Sequence, residues 1–448
     1  MNIKMILPAL TEAKSPFWRP IKYSLFPPLG LATLAGYLDP DDEISICDEH
    51  VENINTNDRP ELVVIQVYIT SASRAYELAD HYRARGSYVC LGGLHVTSLP
   101  DEAARHADSI FLGPGEDTWP AFLADYRAGS PRSVYRSGRR TLAQLPFPRR
   151  DLLKRRLYLV PNSIAVSRGC PNNCCFCYKT SFFKGGRSYY RQSVDRTLQE
   201  IESLPGRHLY FLDDNLFGDE GFSNALFEGM AGMGRLWQAA GTVNAALNSA
   251  LIRKAARCGL RSLFVGFESL SLDNLKEQRK SQEVKSYSES IARLHDAGVM
   301  VNASFVFGMD DDDKDVFSRT VDWAVRNGVE TATFHILTPY PDTTLFRRMW
   351  AEGRITTLDW NRYDTRHAVF TPARMSAQEL ENGYRRAYRE FYSWRNIFAS
   401  TARRNGAFNR LRHFAYKSGW KKFEPFWDLA IRLKQISCFT PLLEAVLG

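Results

Sequence analysis

The sequence predicts an α/β fold with two parallel-sheet units and a mainly helical extension at its C-terminal end. Short apolar runs alternate with segments of helical periodicity over residues 1–130, and the same alternation returns over residues 161–345. Residues 346–448 are rich in Arg and aromatic side chains and are predicted to be mostly helical. Pro and Arg residues interrupt the periodicity over residues 131–160, which are predicted to form a linker. The length of 448 residues agrees with more than one domain.

The first unit, residues 1–130, is predicted to be a doubly wound sheet. Ligands of such folds bind at the carboxyl ends of the strands, where small or polar residues let a ligand approach the backbone. Most of the predicted strands are followed by residues of this kind, so these strand ends form a candidate binding edge. The predicted strands are Asn2–Leu7, Ile44–Cys47, Leu62–Val67, Tyr88–Leu91 and Ser109–Leu112, and the residues that follow them include Asp48, His50, Thr70, Ser71, Gly92, Gly93, Gly113 and Gly115.

The second unit, residues 161–345, contains six predicted strand–helix repeats. A complete barrel of this type has eight, so the pattern predicts a partial (β/α)6 barrel. Chemistry in barrels takes place at the carboxyl ends of the strands, and a cluster of cysteines directly follows the first strand. The predicted strands are Ser163–Ser167, Leu209–Asp213, Thr242–Ala246, Leu263–Glu268, Met300–Phe307 and Thr331–Leu337.

Four of the eight cysteines lie within residues 170–177, a density that indicates a metal site and not a disulfide framework. Cys170, Cys174 and Cys177 have the spacing C-x3-C-x2-C, which lets one short loop hold three irons of an iron–sulfur cube. Three ligands leave the fourth iron open, and an open position distinguishes a catalytic site from a closed structural one. The alternative is a structural zinc site that also uses Cys175, but four ligands within eight residues are sterically awkward. Cys175 is therefore interpreted as a small buried residue.

The loop from Ser167 to Cys177, SRGCPNNCCFC, resembles the signature of the radical S-adenosylmethionine superfamily, including the aromatic Phe176 before the last cysteine. Together with GGLHVTSLPDEA in the first unit, it resembles the branch that carries an N-terminal cobalamin-binding domain. The resemblance implies a [4Fe–4S] cluster on Cys170, Cys174 and Cys177, with S-adenosylmethionine and cobalamin as the other cofactors. It also implies an external flavodoxin or ferredoxin as electron donor, because no ferredoxin module is present in the sequence.

The same resemblance assigns residues near S-adenosylmethionine. It places Asp213 and Asp214 near the amino group, although a helix-capping role is the alternative. It places Glu268 at the ribose hydroxyls, with an ordinary surface glutamate as the alternative, and Asn302 and Ser304 beside the adenine. In the segment TPYPDT, Asp342 replaces the family's usual Gly, so the turn is expected to differ, or Asp342 to face the substrate.

In the first unit, Asp48 and His50 match the first two positions of the D-x-H-x-x-G motif of cobalamin-binding domains, while Asn53 replaces the Gly. His50 is interpreted either as a cobalt ligand oriented by Asp48 or as a structural residue. Ser71 is expected to meet the nucleotide tail, and Gly92, Gly93, Gly113 and Gly115 are expected to let a large flat ligand approach the backbone. The alternative is a degenerate domain that has lost its cofactor.

The resemblance implies methylation of an unactivated carbon of a small-molecule, lipid-like or tetrapyrrole-like substrate. Two rival hypotheses are kept: a cyclase or rearrangement enzyme without methyl transfer, and a non-enzymatic protein that senses redox state or binds zinc. No secretory pattern or membrane-spanning apolar run is present, so we expect a cytoplasmic protein.

Charge is unevenly distributed along the chain. The formal net charge is +8, and residues 401–448 contribute nine Lys/Arg against three Asp/Glu. We interpret this basic, aromatic tail as a lid that packs on the mouth of the barrel. Peripheral contact with a membrane is the alternative. No nucleic-acid-binding module is recognisable, so no nucleic-acid partner is expected.

Overall fold

A six-stranded parallel sheet forms the first half of the fold in a computed structural model, which describes residues 1–14, 24–280, 284–422 and 424–448. Its strands are β1 (Asn2–Leu7), β2 (Glu43–Asp48), β3 (Leu62–Gln66), β4 (Tyr88–Gly92), β5 (Ser109–Leu112) and β6 (Val134–Arg136). They pair in the order β2-β1-β3-β4-β5-β6. The order reverses between β1 and β3, which creates the crevice where ligands of doubly wound folds bind.

Helices cover both faces of this sheet, each face with its own apolar core. One core joins α1 and α5 to side chains such as Ile3, Val64 and Phe111. The other joins α2, α3 and α4 to side chains such as Ile65 and Leu91, which lie on the opposite face. The doubly wound prediction is therefore confirmed. The helices are α1 (Leu29–Ala35), α2 (Ala72–Ala84), α3 (Leu94–Ser98), α4 (Pro100–Ala103) and α5 (Trp119–Arg127).

Strand β6 lies inside the segment that the sequence predicts to be a linker. It pairs with β5, and the ring of Tyr135 is buried and stacks on Phe111 with 5.3 Å between ring centroids. The sequence pattern did not predict this strand, because it is only three residues long and prolines lie around it. A strand of this length is too short to show a periodicity. The first sheet consequently extends beyond residue 130.

The second parallel sheet is built from β7 (Ser163–Ile164), β10 (His208–Phe211), β11 (Leu236–Gly241), β12 (Leu260–Glu268), β13 (Met300–Phe307) and β14 (Thr331–Ile336). These strands neighbour one another in chain order, and no pairing closes β14 onto β7 among the described residues. The prediction of a partial barrel is therefore confirmed. A short antiparallel pair, β8 (Ser167–Gly169) and β9 (Tyr189–Arg191), follows β7 and carries the cysteine loop.

The third strand of the barrel is displaced from its predicted position at residues 242–246. The strand ends at Gly241, and the side chain of Thr242 accepts a hydrogen bond from the N–H of Ala245, which caps a helix. The prediction was wrong because apolar residues lie on both sides of Gly241, so the sequence gives no clear boundary between the strand and the helix. The helices of this half are α6 (Lys179–Phe182), α7 (Val194–Ser203), α8 (Glu220–Gly229), α9 (Val243–Leu247), α10 (Ser249–Arg257), α11 (Leu272–Glu277), α12 (Tyr287–Asp296), α13 (Val316–Arg326) and α14 (Thr344–Ala351).

The C-terminal part is helical, as predicted, but its last helices pack against the bottom of the barrel and do not cover its mouth. The Nζ of Lys417 donates to the carbonyl oxygen of Val329, just before β14, and Glu444 accepts from the N–H of His208, the first residue of β10. These contacts lie at the amino ends of the strands, opposite the cysteine loop, so the interpretation as a lid was wrong. Of the aromatics behind that interpretation, Phe423 and the side chain of Trp420 lie outside the described residues. The helices are α15 (Ala377–Phe391), α16 (Trp394–Ala402), α17 (Ala407–Lys421), α18 (Glu424–Arg432) and α19 (Thr440–Leu447).

In the described part of the chain, no helix combines the length and the apolar character needed to cross a bilayer.

Candidate active site

The cysteine loop begins where Gly169 turns the chain at the end of β8. Gly169 has φ of +77°, and a Cβ there would lie 1.9 Å from the carbonyl oxygen of Ser188, so glycine is required. Cys170 donates its backbone N–H to that same oxygen at 3.1 Å. Within the loop, the N–H of Cys177 donates to the carbonyl oxygen of Cys174 at 3.2 Å. The loop is thus a tight turn anchored on the β8–β9 pair.

The thiol of Cys175 is engaged in the core of the barrel. It is buried and donates to Oε1 of Gln278 at 2.8 Å, while the Cys175 N–H donates to the Gln278 carbonyl oxygen at 3.3 Å. Cys175 belongs to the same apolar cluster as the strands of the second sheet. These contacts agree with the interpretation of Cys175 as a buried structural residue.

Burial favours the protonated form of two of the three remaining loop thiols, those of Cys174 and Cys177. Burial raises the pKa of the Cys174 thiol and raises the pKa of Cys177 to about 11, and coordination to a metal would remove these protons. No three His, Cys, Asp or Glu side chains stand at metal-binding distances within the described ranges. The assignment of Cys170, Cys174 and Cys177 therefore rests on their spacing and on the groups around them.

Asp213 positions the strand that leads into the cysteine loop. Its carboxylate is buried and accepts hydrogen bonds from the N–H and the hydroxyl of Ser167, each at 2.5 Å, and from the N–H of Val166 at 3.3 Å. Burial raises the pKa of Asp213 to about 6, against the effect of these donors. Both oxygens accept hydrogen bonds from the chain itself, so Asp213 holds the segment that leads into the cysteine loop in place.

Asp214 lies beside the cysteine loop and borders a cavity. Its Oδ1 accepts a hydrogen bond from the hydroxyl of Tyr178 at 2.9 Å, and the Nζ of Lys179 lies 3.8 Å away. Burial, with the Asp214 charge close by, raises the pKa of Tyr178 well above its usual value. A carboxylate, a neutral phenol and an ammonium group are thus held together directly after Cys177. Tyr178 and Lys179 were not among the predicted site residues, although their position next to the motif is a signal.

Asn215 is a second residue that the sequence analysis missed. Its Nδ2 lies 3.8 Å from the Sγ of Cys170, within reach of an N–H···S hydrogen bond. Its Oδ1 is buried and has no hydrogen-bond partner among the described residues. Hydrogen bonds to sulfur tune the potential of iron–sulfur clusters, and a buried unpaired oxygen commonly marks the place of a ligand.

A cavity of about 330 Å³ lies where the carboxyl ends of the two sheets meet. Part of its wall comes from the glycines that the sequence analysis selected in the first unit, namely Gly92, Gly93, Gly113 and Gly115. The opposite wall comes from residues that flank the cysteine loop. Those residues are Ser167, Arg168, Gly169, Tyr178 and Asp214. Apolar side chains complete the wall, and they include Leu31, Leu34, Leu94, Phe111, Trp119, Phe182 and Leu212.

Two glycines of this cavity lie where a side chain would collide with the protein itself. Gly93 has φ of +117°, and a Cβ there would lie 2.7 Å from the carbonyl oxygen of Val67. A Cβ on Gly113, whose φ is +82°, would lie 3.0 Å from the Cβ of Ser137. Both positions therefore require glycine, which has no side chain to occupy this edge of the cavity.

An ion pair connects the two halves of the fold at this cavity. The Nε of Arg168, two residues before Cys170, donates to Oε1 of Glu116 at 2.7 Å. Both side chains are largely buried, and both border the cavity. The pair fixes the cysteine loop relative to the end of the first sheet. It could not be predicted from local sequence patterns, because Glu116 and Arg168 are far apart in the sequence.

A second cavity, of about 440 Å³, lies on another side of the cysteine loop. Cys174, Asn215 and Lys280 contribute to its wall. Lys280 donates to Oε1 of Glu268 at 2.5 Å and to the carbonyl oxygen of Gly266 at 2.9 Å. Glu268 has φ of +64°, an unusual conformation for a glutamate that is typical of functional sites. Glu268 is thus linked to the wall of this second cavity by its hydrogen bond from Lys280.

Asn302 and Ser304 occupy different levels of the barrel. Asn302 lines a small cavity of about 90 Å³ with Gln238 and Tyr416, and Tyr416 belongs to helix α17 at the bottom of the barrel. Ser304 lies two residues nearer the mouth and is buried beside Gly266 in the next strand. Asn302 is therefore placed away from the cysteine loop, because alternate residues of one strand point into the barrel at successive depths.

His50 and Asp48 form the expected pair, but they do not line the cavity between the sheets. The Nδ1 of His50 lies 2.7 Å from Oδ1 of Asp48, and its Nε2 accepts the N–H of Leu10 at 3.2 Å. Asp48 also accepts the hydroxyl of Tyr158 at 2.9 Å. Both ring nitrogens of His50 are thus engaged by the protein. Ser71 is likewise engaged locally, because its hydroxyl exchanges hydrogen bonds with the backbone of Tyr68.

Asp342 lies in a turn with the positive φ that a glycine would allow. Its φ is +59°, so an aspartate adopts the left-handed conformation expected of Gly. Its carboxylate accepts hydrogen bonds from the hydroxyl of Ser181 at 3.2 Å and from Arg347 at 2.9 Å. Asp342 therefore connects this turn to α6 after the cysteine loop.

Comparisons with known proteins agree with this geometry. Residues 164–324 match the radical SAM superfamily, and residues 343–440 match a domain of unknown function, DUF4070. The fold is similar to the solved structure of the radical S-adenosylmethionine methyltransferase TsrM from Kitasatospora setae with cobalamin and a [4Fe–4S] cluster bound. That likeness has a TM-score of 0.64 at 13% identity and covers 97% of this chain and 99% of that one.

Two curated relatives are similar over most of the sequence. The chain is 25% identical to the hopanoid C-3 methylase of Methylococcus capsulatus, over 72% of this chain and 66% of the relative. It is 30% identical to the bacteriochlorophyllide d C-12(1)-methyltransferase of Chlorobaculum tepidum, over 82% of each protein. The chain therefore belongs to the family of this methyltransferase, within the radical SAM superfamily.

Proposed function

We propose that this enzyme methylates an unactivated carbon of a large, flat, hydrophobic substrate of the tetrapyrrole class. One observation carries the proposal: a single cavity is bordered on one side by Gly92 and Gly93 of the first sheet and on the other by Tyr178 and Asp214 beside the cysteine loop. A methyl donor and a hydrogen-abstracting centre must both reach the same substrate carbon, and a shared cavity permits this.

The residues present fit the cofactors of this reaction. Cys170, Cys174 and Cys177 would hold a [4Fe–4S] cluster, and the glycine edge of the first sheet would support cobalamin. When bound, these groups and S-adenosylmethionine supply hydrogen-atom abstraction and methyl donation. Cobalamin would bind without His50 on its cobalt, since Nε2 of His50 already accepts the N–H of Leu10.

The chain's own residues position these groups. Asp213 and Asn215 hold the cysteine loop, the first through Ser167 and the second through the sulfur of Cys170. Asp214, held by Tyr178, presents a carboxylate beside the loop that suits the amino group of S-adenosylmethionine. The apolar walls of the cavity exclude water from the reacting carbon, which protects a radical from side reactions.

The names of the relatives support the substrate class. The Chlorobaculum relative acts on a bacteriochlorophyllide, and the Methylococcus relative methylates a hopanoid. Leucine and aromatic side chains dominate the wall of the cavity, as expected for a flat apolar substrate. Electrons would come from an external flavodoxin or ferredoxin.

The experiment that tests this proposal is anaerobic turnover with reconstituted enzyme, a flavodoxin reducing system and bacteriochlorophyllide d. The expected result is a product heavier by one methylene unit, detected by mass spectrometry. A matched reaction with a small amino-acid substrate such as tryptophan should give no methylated product, because the apolar wall offers few polar contacts. Methylation of tryptophan without methylation of the tetrapyrrole would contradict the proposed substrate class.

A further inference from the structure

The last part of the chain concentrates exposed apolar side chains. Of the thirteen large hydrophobic side chains that are exposed among the described residues, eight lie in α16 to α19, between residues 394 and 442. Scattered exposed leucines are ordinary, but such a concentration in one region marks an interaction surface. The eight residues are Trp394, Phe398, Phe408, Leu411, Phe426, Leu429, Leu433 and Leu442.

Helices α16 and α17 present one continuous aromatic ridge. The ring of Phe414 lies 6.2 Å from the ring of Trp394 and 5.6 Å from that of Phe398, measured between centroids. Phe408 and Leu411 precede Phe414 on α17 at intervals of three residues, so they continue the same helix face. About two thirds of each of these two side chains is exposed, at 62% and 67%. We call these five residues the aromatic ridge.

The ridge lies in a segment without any negative charge. Residues 391–422 contain eight Lys/Arg and no Asp or Glu. Arg404 and Lys417 point inward, where Arg404 lies 3.4 Å from Glu330 and Lys417 donates to Val329. Arg395, Arg403 and Arg410 are exposed. The surface around the ridge is therefore both apolar and strongly basic.

An apolar groove continues this surface. Ala415 and Gly419 of α17 line one side of it, and Trp427, Phe439 and Leu442 line the other. Next to the groove, Phe426 and Leu429 are exposed three residues apart on α18, and the exposed Leu433 directly follows the end of this helix. The ridge, the groove and these side chains give α16 to α19 an extended apolar exterior.

We propose that this surface docks the enzyme on an anionic phospholipid bilayer, with the aromatic ridge inserted at the headgroup level and the arginines on lipid phosphates. Amphipathic helices with aromatic and leucine side chains on one side and basic residues beside them bind membranes in this way. The surface lies at the bottom of the barrel, so docking leaves the cavity between the two sheets facing away from the membrane.

Charge and composition favour a bilayer over the other occupants of such a surface. A second copy of the chain would bring two acid-free basic segments together, and like charges oppose that contact. Nucleic acid would use free aromatic faces for stacking, but Trp394, Phe398 and Phe414 stack on one another, and the exposed leucines have no role in base recognition.

The test is co-sedimentation of the full chain with vesicles of phosphatidylcholine alone and with vesicles of equal parts phosphatidylcholine and phosphatidylglycerol. We expect binding to the anionic vesicles only, weakening as salt rises because screening weakens exposed charges. Two triple variants should each reduce this binding by more than about tenfold. The hydrophobic variant combines Trp394→Ser, Phe398→Ser and Leu411→Ser. The arginine variant combines Arg395→Gln, Arg403→Gln and Arg410→Gln.

The matched control replaces three exposed hydrophobic residues elsewhere, Val134→Ser, Leu272→Ser and Leu358→Ser, which are 42%, 51% and 48% exposed. It should bind vesicles as the unmodified chain does. All variants should still cleave S-adenosylmethionine reductively, which separates this test from the proposed methylation. The proposal would be overturned if the control variant lost binding equally or if the chain bound neutral vesicles equally well. It would also be overturned if single-stranded RNA displaced the chain from vesicles, or if the chain formed a dimer that both the hydrophobic and the arginine variants abolish.

Discussion

Ser167 donates both its backbone N–H and its hydroxyl to the buried carboxylate of Asp213, each at 2.5 Å, and so ties the entrance of the cysteine loop to the end of β10. Removing that carboxylate leaves two backbone N–H groups, those of Val166 and Ser167, without their acceptor. We predict that Asp213→Ala lowers the free energy of unfolding by about 2 kcal/mol or more and reduces the iron retained after reconstitution.

Denaturant titration under anaerobic conditions, with iron and sulfide analysis, measures both effects of Asp213→Ala. Asp213→Asn keeps an oxygen acceptor in the same place and should recover most of the loss. An alanine variant with unchanged midpoint and full iron content would contradict a positioning role.

The second prediction concerns the loop cysteines. Cys170→Ala, Cys174→Ala and Cys177→Ala should each abolish reductive cleavage of S-adenosylmethionine, because three thiolates are needed to hold the cube. Cys175→Ala is the matched control from the same loop and should keep cleavage activity, with a modest loss of stability from its buried contact with Gln278. Formation of 5′-deoxyadenosine measures the cleavage. An inactive Cys175 variant beside an active variant of any of the other three would disprove the ligand assignment.

The third prediction tests the glycine edge of the cavity. Gly93→Ala should reduce the amount of corrinoid retained after gel filtration, because its Cβ would lie 2.7 Å from the Val67 carbonyl oxygen and displace this edge. Gly129→Ala is the matched control, since Gly129 also has a positive φ, of +72°, but no described atom lies within 4 Å of a Cβ placed there. Corrinoid retention by Gly93→Ala equal to that of Gly129→Ala would show that the Gly93 edge does not border the ligand.

The fourth prediction follows from the packing of the tail beneath the barrel. Burial lowers the pKa of Lys417 from 10.5 to about 7, so between these values the unfolded chain binds a proton that the folded chain does not. Stability should therefore rise with pH from about 7 to 10.5 by roughly 1 kcal/mol per pH unit from this residue. Lys417→Met should remove that part of the dependence, as measured by thermal unfolding across the range. The exposed Lys276→Met should leave the slope unchanged, and a Lys417→Met slope equal to that of the unmodified chain would contradict the burial of this amine.

Sequence patterns predicted the features that depend on local order. The strands β1, β5 and β13 have the predicted bounds, because each is an apolar run with clear ends. The C-x3-C-x2-C loop was recognisable because its three cysteines are neighbours in sequence. The glycines of the first unit were found for the same reason, since each lies at the end of a strand or within three residues after it.

Features that depend on tertiary contacts were not predictable in this way. Asn302 lies on the correct strand, but its depth in the barrel is set by the packing of Tyr416 from a distant helix. His50 has the right neighbour in Asp48, yet the N–H of Leu10 occupies its other nitrogen. The amino-acid composition of the basic tail could not predict which end of the barrel it packs against, because composition contains no information on spatial position.

The measurement that tests the central claim most directly is the fate of a deuterated methyl group. Anaerobic turnover with S-adenosylmethionine labelled on its methyl group and a bacteriochlorophyllide substrate should give S-adenosylhomocysteine and 5′-deoxyadenosine in equal amounts, with the labelled methyl group on the product. A methylase of this kind consumes one S-adenosylmethionine for the methyl group and one for hydrogen abstraction. Formation of 5′-deoxyadenosine and an altered tetrapyrrole without S-adenosylhomocysteine or label would contradict methyl transfer and identify a cyclase or rearrangement enzyme.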